Sequence, residues 1–586
     1  MEKIFDIAKD SEQSWGVIAQ GIDGNFEEIE RQVGKLNQEF LGAPQTISAN
    51  IQDGYFYDID GLLNSSAPNN SRYAEVDLTE YSGGNLVITF PTYGSQGSRY
   101  CLLKSGDNII ETFQANQEQF TFESIKADTL LVSYNKFVCT DDFSVVLQVQ
   151  SLEEKILTQV GNLIPKGQQI KTPNGFGWKT SEIEGKLYND GEGVKVDFDI
   201  SSKAVRNGVG VYYVNSETGD DSYAGDVTHP LKTINAAYNK SDVKTIIINS
   251  GVHYKIGIFE KPISLISPKG KALIPSAVKV FWSKTEGEAN VWQCTCSNAI
   301  GVLNVGDVLA DGGYRIFSKV NSINEVGVNP NSFYIDDDIV YIYRTITPND
   351  NIIVIKNEFA LRVKYGNGET FYAENIEFIG GVAANGALDL INTSETKYAK
   401  AYLYKCNFIY GANPTENRGN GLASRGFETY CVECEAHHNS DDGFNYHIYS
   451  DGGLTLAPLA VEINCKGYCN GETGMTDNGS TMHDEGKIIR INCQYWGNFG
   501  PDVADVNGGS QSWNINVTAR NNGLHSNDIM ESNFRFSDGA GEYWLDNCIA
   551  YGSKNGLTVE GGSSIHLHSC YFSSINIDNS SIIDTY

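Results

Sequence analysis

The spacing of apolar positions changes character three times along the chain. Trp15, Ile22, Phe26, Ile29, Val33, Leu36 and Phe40 follow one another at intervals of 7, 4, 3, 4, 3 and 4 residues. That is the seam of a helix packed against other helices. It predicts a helical, coiled-coil segment over residues 1–44 that packs on its own copies, as a trimer foremost, or docks on its own chain. Residues 45–150 switch to short alternating runs such as "NLVITF", "TLLVSYNKF" and "FSVVLQVQ", separated by Gly, Asn, Ser and Asp. Short period-two strands at this density predict a small, jelly-roll-like β-sandwich. Residues 151–208 read as a connector. A short helix with Leu152, Ile156, Val160 and Leu163 on one face precedes the turn-rich "PKGQQIKTPNGFGWKT".

From residue 209 the pattern is a repeat. The pieces "NIEFIGG", "KCNFIYG", "ECEAHHN", "NCKGYCNG", "NCQYWGN", "NVTARNNG", "NCIAYGS" and "SCYFSS" share one anchor: Ile376, Cys406, Cys434, Cys465, Cys493, Val517, Cys548 and Cys570. The intervals are 30, 28, 31, 28, 24, 31 and 22 residues, the signature of a stacked solenoid. No helical period lies between anchors. The fold class expected is therefore mainly β: a right-handed parallel β-helix over 209–586, preceded by the small sandwich and the helical segment. "SFYIDDDIVYIYRTITPND" interrupts the rungs and marks an inserted β subdomain at about 270–360, with Asp336, Asp337 and Asp338 as its turn. The anchor cysteines read as a reduced ladder facing the core, where a thiol acts as a small hydrophobe. "CVEC" at 431–434 has zinc-like spacing, but residues three apart on a strand face opposite sides, so no metal site is expected.

Each rung carries a second short strand: "NGLASR", "DGFNYH", "NGSTMH", "GPDVAD", "NGLHSN" and "NGLTVE". Alternation places their third and fifth positions on the outer face. One column is then Arg425, His447, His483, Asp505, Asn527 and Glu560. The other is Ala423, Asn445, Thr481, Val503, His525 and Thr558. Seven of the nine histidines lie between 437 and 568. Rungs about 4.8 Å apart would merge these side chains into one polar stripe. The catalytic residues expected are Asp442, His447, His483, Asp484 and Asp505, with Glu485 as a further acid. Arg425, Asn445, Tyr449, His525, Asn527, Glu560 and Trp496 are expected to bind substrate, with Tyr495 and Trp513 as other aromatic candidates. Asp505 and Glu560, two rungs apart at about 9.6 Å, suit an inverting glycosidase. His447 or His483 as base, with Arg425 neutralising a uronate, suits elimination.

The charge balance narrows the partners. With 43 basic and 73 acidic residues the net charge is −30, which argues against nucleic acid. No apolar run approaches 18 residues, so no membrane insertion is expected. The start "MEKIFDIAKDSEQ" has no signal-peptide core. No cofactor is expected beyond an optional calcium ion.

"YYVNSETGDDSYAGDVTHPLKTINAAY", at 212–238, resembles the entry to pectate-lyase-like right-handed β-helices. Pro230, Lys232, Thr233, Ile234 and Ala237 match the short helix that caps the open end there. The resemblance spans roughly 210–586 and implies the fold more than the reaction. A helical start, an accessory β module and a long β-helix without an export signal together resemble bacteriophage tail spikes and receptor-binding proteins. That resemblance implies a homotrimer in the virion, joined to other tail proteins through its N-terminus. It also implies binding and cleavage of a bacterial surface polysaccharide, by a glycosidase sooner than a lyase. The competing class is a non-enzymatic adhesin or structural virion protein.

Overall fold

The computed structural model describes the strands of residues 45–150 and residues 169–585, apart from 191–192, 255–256, 382–385, 412–418, 449–455, 472–476, 521–531 and 538. The heptad seam and the connector helix lie outside the described residues. The chain divides into two units, Met1–Gly161 and Asn162–Tyr586. The described strands of the first form a four-stranded, a five-stranded and a two-stranded sheet, with antiparallel pairing throughout.

The second unit is a parallel β-helix. Its three long sheets have twelve, ten and ten strands among the described residues, and each strand pairs in parallel with its counterpart one rung on. Sheet 1 runs from Val211–Val214 to Ile582–Thr585, sheet 2 from Gly251–Val252 to Tyr571–Phe572, and sheet 3 from Gly257–Phe259 to Ile575–Ile577. From residue 375 onward, one residue makes the corner between sheets 1 and 2. Asn375, Lys405, Glu433, Asn464, Asn492, Asn516, Asn547 and Ser569 all sit there with φ between 53° and 57°. Asparagine tolerates this left-handed conformation better than other side chains, and its amide also bonds along the stack. Asn516 Nδ2 donates to Asn492 Oδ1 at 2.9 Å, and Asn547 Nδ2 to Asn516 Oδ1 at 3.3 Å.

The anchor comes directly after this corner. Cys406, Cys434, Cys465, Cys493 and Cys548 are fully buried with Ile376 and Val517, and Cys570 packs against the same core at its end. Each thiol donates to a carbonyl one rung back, as Cys465 does to Cys431 O at 3.4 Å and Cys548 to Asn514 O at 3.3 Å. All six are free cysteines. The "CVEC" argument fails in its geometry. Cys431 and Cys434 both face the lumen, because the left-handed corner at Glu433 resets the alternation between them.

Three further pieces complete the unit. The helix Ile234–Tyr238, with Thr233 Oγ1 accepting from Ala236 N, lays Ile234 and Ala237 over the first rung. This covers apolar side chains that a bare solenoid end would expose. Residues 277–356 leave the solenoid and form a five-stranded and a three-stranded sheet, with Asp337 and Asp338 as a two-residue turn between Ser332–Asp336 and Ile339–Tyr343. Residues 169–206 fold over the outer face of sheet 1, burying Phe176, Ile183, Leu187, Val194 and Ile200 against Tyr372, Tyr402, Tyr430, Trp513 and Trp544.

The lumen is not wholly apolar. Glu462 and Arg490 point inward from adjacent rungs of sheet 1, and Asp505 points inward from sheet 3. Arg490 holds Asp505 in a two-pronged bond, Nη1 to Oδ2 at 3.0 Å and Nη2 to Oδ1 at 2.8 Å, and donates from Nε to Ser480 Oγ at 3.0 Å. Ser480 and Tyr495 in turn donate to Glu462. Burial pushes the Glu462 carboxyl up, against the pull of Arg490 and these two donors. Removing one partner of a buried pair strands the other charge. Arg490→Met should therefore cost about 3–5 kcal/mol, read as a lower urea midpoint. Arg490→Met with Asp505→Leu should cost less than Arg490→Met alone.

Candidate functional site

Sheet 3 carries the polar face, and strand register decides what lies on it. Leu388, Leu422, Phe444, Ser480, Val503, Phe534 and Leu557 align and point inward. The next column, Arg362, Asp389, Ala423, Asn445, Thr481, Ala504, Arg535 and Thr558, points outward. The third, Leu390, Ser424, Tyr446, Met482, Asp505, Phe536 and Val559, points inward again. Arg425 pairs with His447 one position further on. His483 and Glu560 come after Met482 and Val559 at the same outward level.

Two residues assigned to the outer columns are thereby corrected. Val503 and Asp505 face the lumen, because "GPDVAD" sits one residue out of step with the rungs beside it. A slip of one residue moves a whole strand's side chains to the other face. The expected Asp505–Glu560 carboxylate pair does not exist: Asp505 is spent on Arg490 inside, and Glu560 lies outside, 3.4 Å from Arg535 Nε. The aromatic candidates also separate from the site. Trp496 lies on sheet 2, stacked on Tyr468 at 4.3 Å with Arg520 over its ring at 5.2 Å. Tyr495 is inside the lumen, and Trp513 is buried on sheet 1 with its Nε1 donating to Asp546 Oδ2 at 2.7 Å. Tyr449, His525 and Asn527 lie outside the described residues.

The residues that do converge are Arg425, Asp442, Asn445, His447, His483 and Asp484. Asp442 is buried and accepts three N–H bonds: Asn478 N at 2.8 Å and Nδ2 at 3.0 Å on Oδ1, and Asn445 Nδ2 at 2.6 Å on Oδ2. Asn478 Nδ2 also donates to Thr481 Oγ1 at 3.0 Å. Asn445 Nδ2 lies 3.4 Å from His483 Nε2, and Asn507 Nδ2 lies 3.1 Å from His483 Nδ1. Asp484 Oδ2 accepts Ile448 N at 3.1 Å. The rings of His447 and His483 meet edge to face, 6.4 Å apart at 85°.

Beyond His447 lies an ion cluster that the strand pattern alone does not reveal. Asp389, fully buried, takes Arg362 Nε on Oδ2 at 2.5 Å and faces Arg425 Nη2 from Oδ1 at 3.1 Å. Its strands, Leu361–Tyr365 and Gly386–Asn392, lack the Asn-Gly or Asp-Gly lead by which the later rungs align. Asn478 and Asn507 escape the pattern for another reason, since each lies in a turn beside the strand and not on it.

The two imidazoles sit in unlike fields. Burial, then the Arg425 charge, then His483 hold His447 down at about 3. Burial lowers His483 as well, but Asp484, Asp441 and Asp505 oppose it. Both rings are neutral near pH 7. Among the described residues no group of three or more His, Cys, Asp and Glu side chains is arranged to hold a metal ion.

No family model matches the chain, and no curated protein matches it. Solved structures resemble it at low similarity. The complex of XylC with xylose matches at a TM-score of 0.31 and 12% identity, over 64% of this chain and 70% of that one. Pectate lyase Pel9A matches at 0.31 and 12%, over 66% and 80%. A rhamnogalacturonan lyase matches at 0.27 and 13%, over 61% and 74%. Likenesses this distant carry no argument about activity, and the β-helix rests on the strand register itself.

The state of His447 has a consequence for stability. Its folded pKa, about 3, lies below the ordinary value near 6.5 that the unfolded chain restores. Between those limits the unfolded chain binds a proton that the folded chain refuses. Its contribution is therefore present above about pH 6.5 and lost as pH falls toward 3. His447→Gln should unfold less acid-sensitively than the parent, by up to roughly 1.4 kcal/mol per pH unit in that window. Urea midpoints at pH 7 and pH 4.5 check this; a parallel fall in both proteins refutes it.

Proposed function

We propose that the chain is a spike-like receptor-binding protein that binds a bacterial surface polysaccharide along the outer face of sheet 3 and cleaves it there. The observation that carries the cleavage reading is His483. It is a neutral imidazole whose Nε2 faces an N–H of Asn445, within an amide network anchored on Asp442. A neutral ring nitrogen with a lone pair is a base. The hydrolase geometry that the sequence favoured has lost its carboxylate pair, so elimination becomes the better reading.

In that reaction the substrate displaces the long Asn445 contact at Nε2, and His483 removes the C5 proton of a uronate residue. The electron pair of the broken C5–H bond forms the C4–C5 double bond, and the glycosidic oxygen leaves C4 and takes a proton from solvent. Arg362 and Arg425 both lie on Asp389 at the adjoining end of the face, and a guanidinium there is the group that would meet the carboxylate of an acidic substrate. The heptad seam over 15–40, the accessory β module and the long solenoid support the spike reading and a homotrimer.

The test is incubation of the full chain with capsular polysaccharide of candidate host bacteria. Elimination predicts shorter chains together with the ultraviolet absorbance of an unsaturated product. His483→Ala should abolish both without moving the thermal midpoint. Shortening without absorbance makes the protein a hydrolase, and binding without shortening makes it an adhesin. Undiminished cleavage by His483→Ala removes the site assignment.

A further inference from the structure

The network around His483 determines which ring nitrogen carries the proton. Asn445 Nδ2 lies 2.6 Å from Asp442 Oδ2. A carboxylate oxygen at that distance requires the N–H end of the amide, so Asn445 cannot be turned over. Asp442 is itself fixed as an acceptor by the two N–H groups of Asn478 on its other oxygen. The same Asn445 nitrogen is the group 3.4 Å from His483 Nε2. Nε2 therefore faces a donor and must supply a lone pair. In a neutral imidazole the proton is then on Nδ1. The atom facing Nδ1 is Asn507 Nδ2, 3.1 Å away on an exposed side chain. A neutral imidazole cannot accept from a donor at both nitrogens, and Asn445 is held by Asp442, so the Asn507 amide is the one to be turned over, its oxygen then accepting the Nδ1 proton.

We propose that Asn507 is a positioning residue that holds His483 with its proton on Nδ1 and its Nε2 lone pair on the Asn445 side. The catalytic value of this rests on the reading of His483 as the base; the tautomer itself does not. The backbone supports the placement. Asn507 lies just after the strand Val503–Asp505, with φ of 62°, and its carbonyl accepts Asp484 N at 2.9 Å. It thus ties the turn carrying Asp484 to the rung behind it. No strand alternation singles it out, because its role appears only when the turn is stacked beside His483.

The positive φ dictates the variants. Alanine would add backbone strain to the loss of the amide. Asn507→Gly removes the amide without that strain, and Asn507→Asp keeps an acceptor and tolerates the conformation. The full chain with 15N-labelled histidine, and His483→Gln to assign the signal, reports which nitrogen is protonated at pH 7.5. The expected result is Nδ1–H in the parent, a shift toward Nε2–H in Asn507→Gly, and Nδ1–H restored in Asn507→Asp. The titration midpoint of His483 in Asn507→Asp should rise, because a carboxylate beside the ring favours its charged form. Cleavage by Asn507→Gly should fall at least about 10-fold, and Asn507→Asp should recover it with the acidic limb moved to higher pH. Nε2–H in the parent, or an unchanged tautomer in Asn507→Gly, overturns the inference. The expected tautomers in a protein that cleaves no polysaccharide would sink the base reading and leave this one standing.

Discussion

Eight successive rungs of this solenoid turn the same corner at the same place, and a single left-handed residue between sheets 1 and 2 makes each turn. Most side chains resist the conformation by roughly 1–2 kcal/mol, so its repetition at eight rungs is a strong local demand. Five of the eight positions are asparagine, and the remaining Lys405, Glu433 and Ser569 meet the cost without that help. The corner also fixes the phase of the sheet 2 strand beyond it. The residue immediately after the corner enters the lumen, which is why one column collects Ile, Val and Cys and nothing larger. A thiol suits the place because it fills the volume of a small apolar group and still satisfies a carbonyl one rung back.

A uniform apolar lumen would leave register weakly specified, since neighbouring rungs would be interchangeable. The Glu462–Arg490–Asp505 group breaks that uniformity. It joins sheet 1 to sheet 3 across the interior at one level only. A slip of one residue in either strand would turn a charge to the outside and leave its partner buried alone, a cost of several kcal/mol. Four hydrogen bonds from Arg490 to Asp505, Ser480 and Asn514 make the native register tolerable. A second polar file runs at the corner between sheets 2 and 3. Asn439, Asn470 and Asn498 bond in series, the last ending on Asp502. Burial pushes the Asp502 carboxyl up to about 7 against the Asn533 and Asn498 donors.

Periodicity decides how much of the molecule was legible in its sequence. The anchor column, the reduced cysteines, the capping helix at 234–238 and the interruption before residue 360 each repeat a pattern or break one. The outer columns were legible only where a rung carries a Gly after its leading polar residue, as at Asn420, Asp442 and Asn478. "GPDVAD" has its glycine before the turn and not in it, so the alignment slipped there and Asp505 was read inside out. Arg362 and Asp389 lie on rungs without that cue. Trp496 is near His483 in number yet comes after a different corner, so closeness along the chain placed it on the wrong sheet. Asn507 and Asn478 act from turns, where no strand alternation foretells direction.

The same stacking gives the two histidines of the face different chemistry. His447 has Arg425 one rung behind it and a second imidazole ahead, and both add to burial in disfavouring its proton. A base that weak gains little from a proton it barely holds, since efficiency is best when the pKa lies near the working pH. His483 is equally removed from water, but Asp484, Asp441 and Asp505 lean the other way and return part of its basicity. Asp505 does this from inside the lumen while committed to Arg490. Environments that separate the affinities of adjacent titratable groups are how a site divides its roles. In the proposed reaction His483 is the group that takes the proton, and His447 is its uncharged neighbour on the face. Asp442, expected among the catalytic residues, accepts from Asn478 and Asn445 and so sets the orientation of Asn445, whose Nδ2 faces Nε2 of His483.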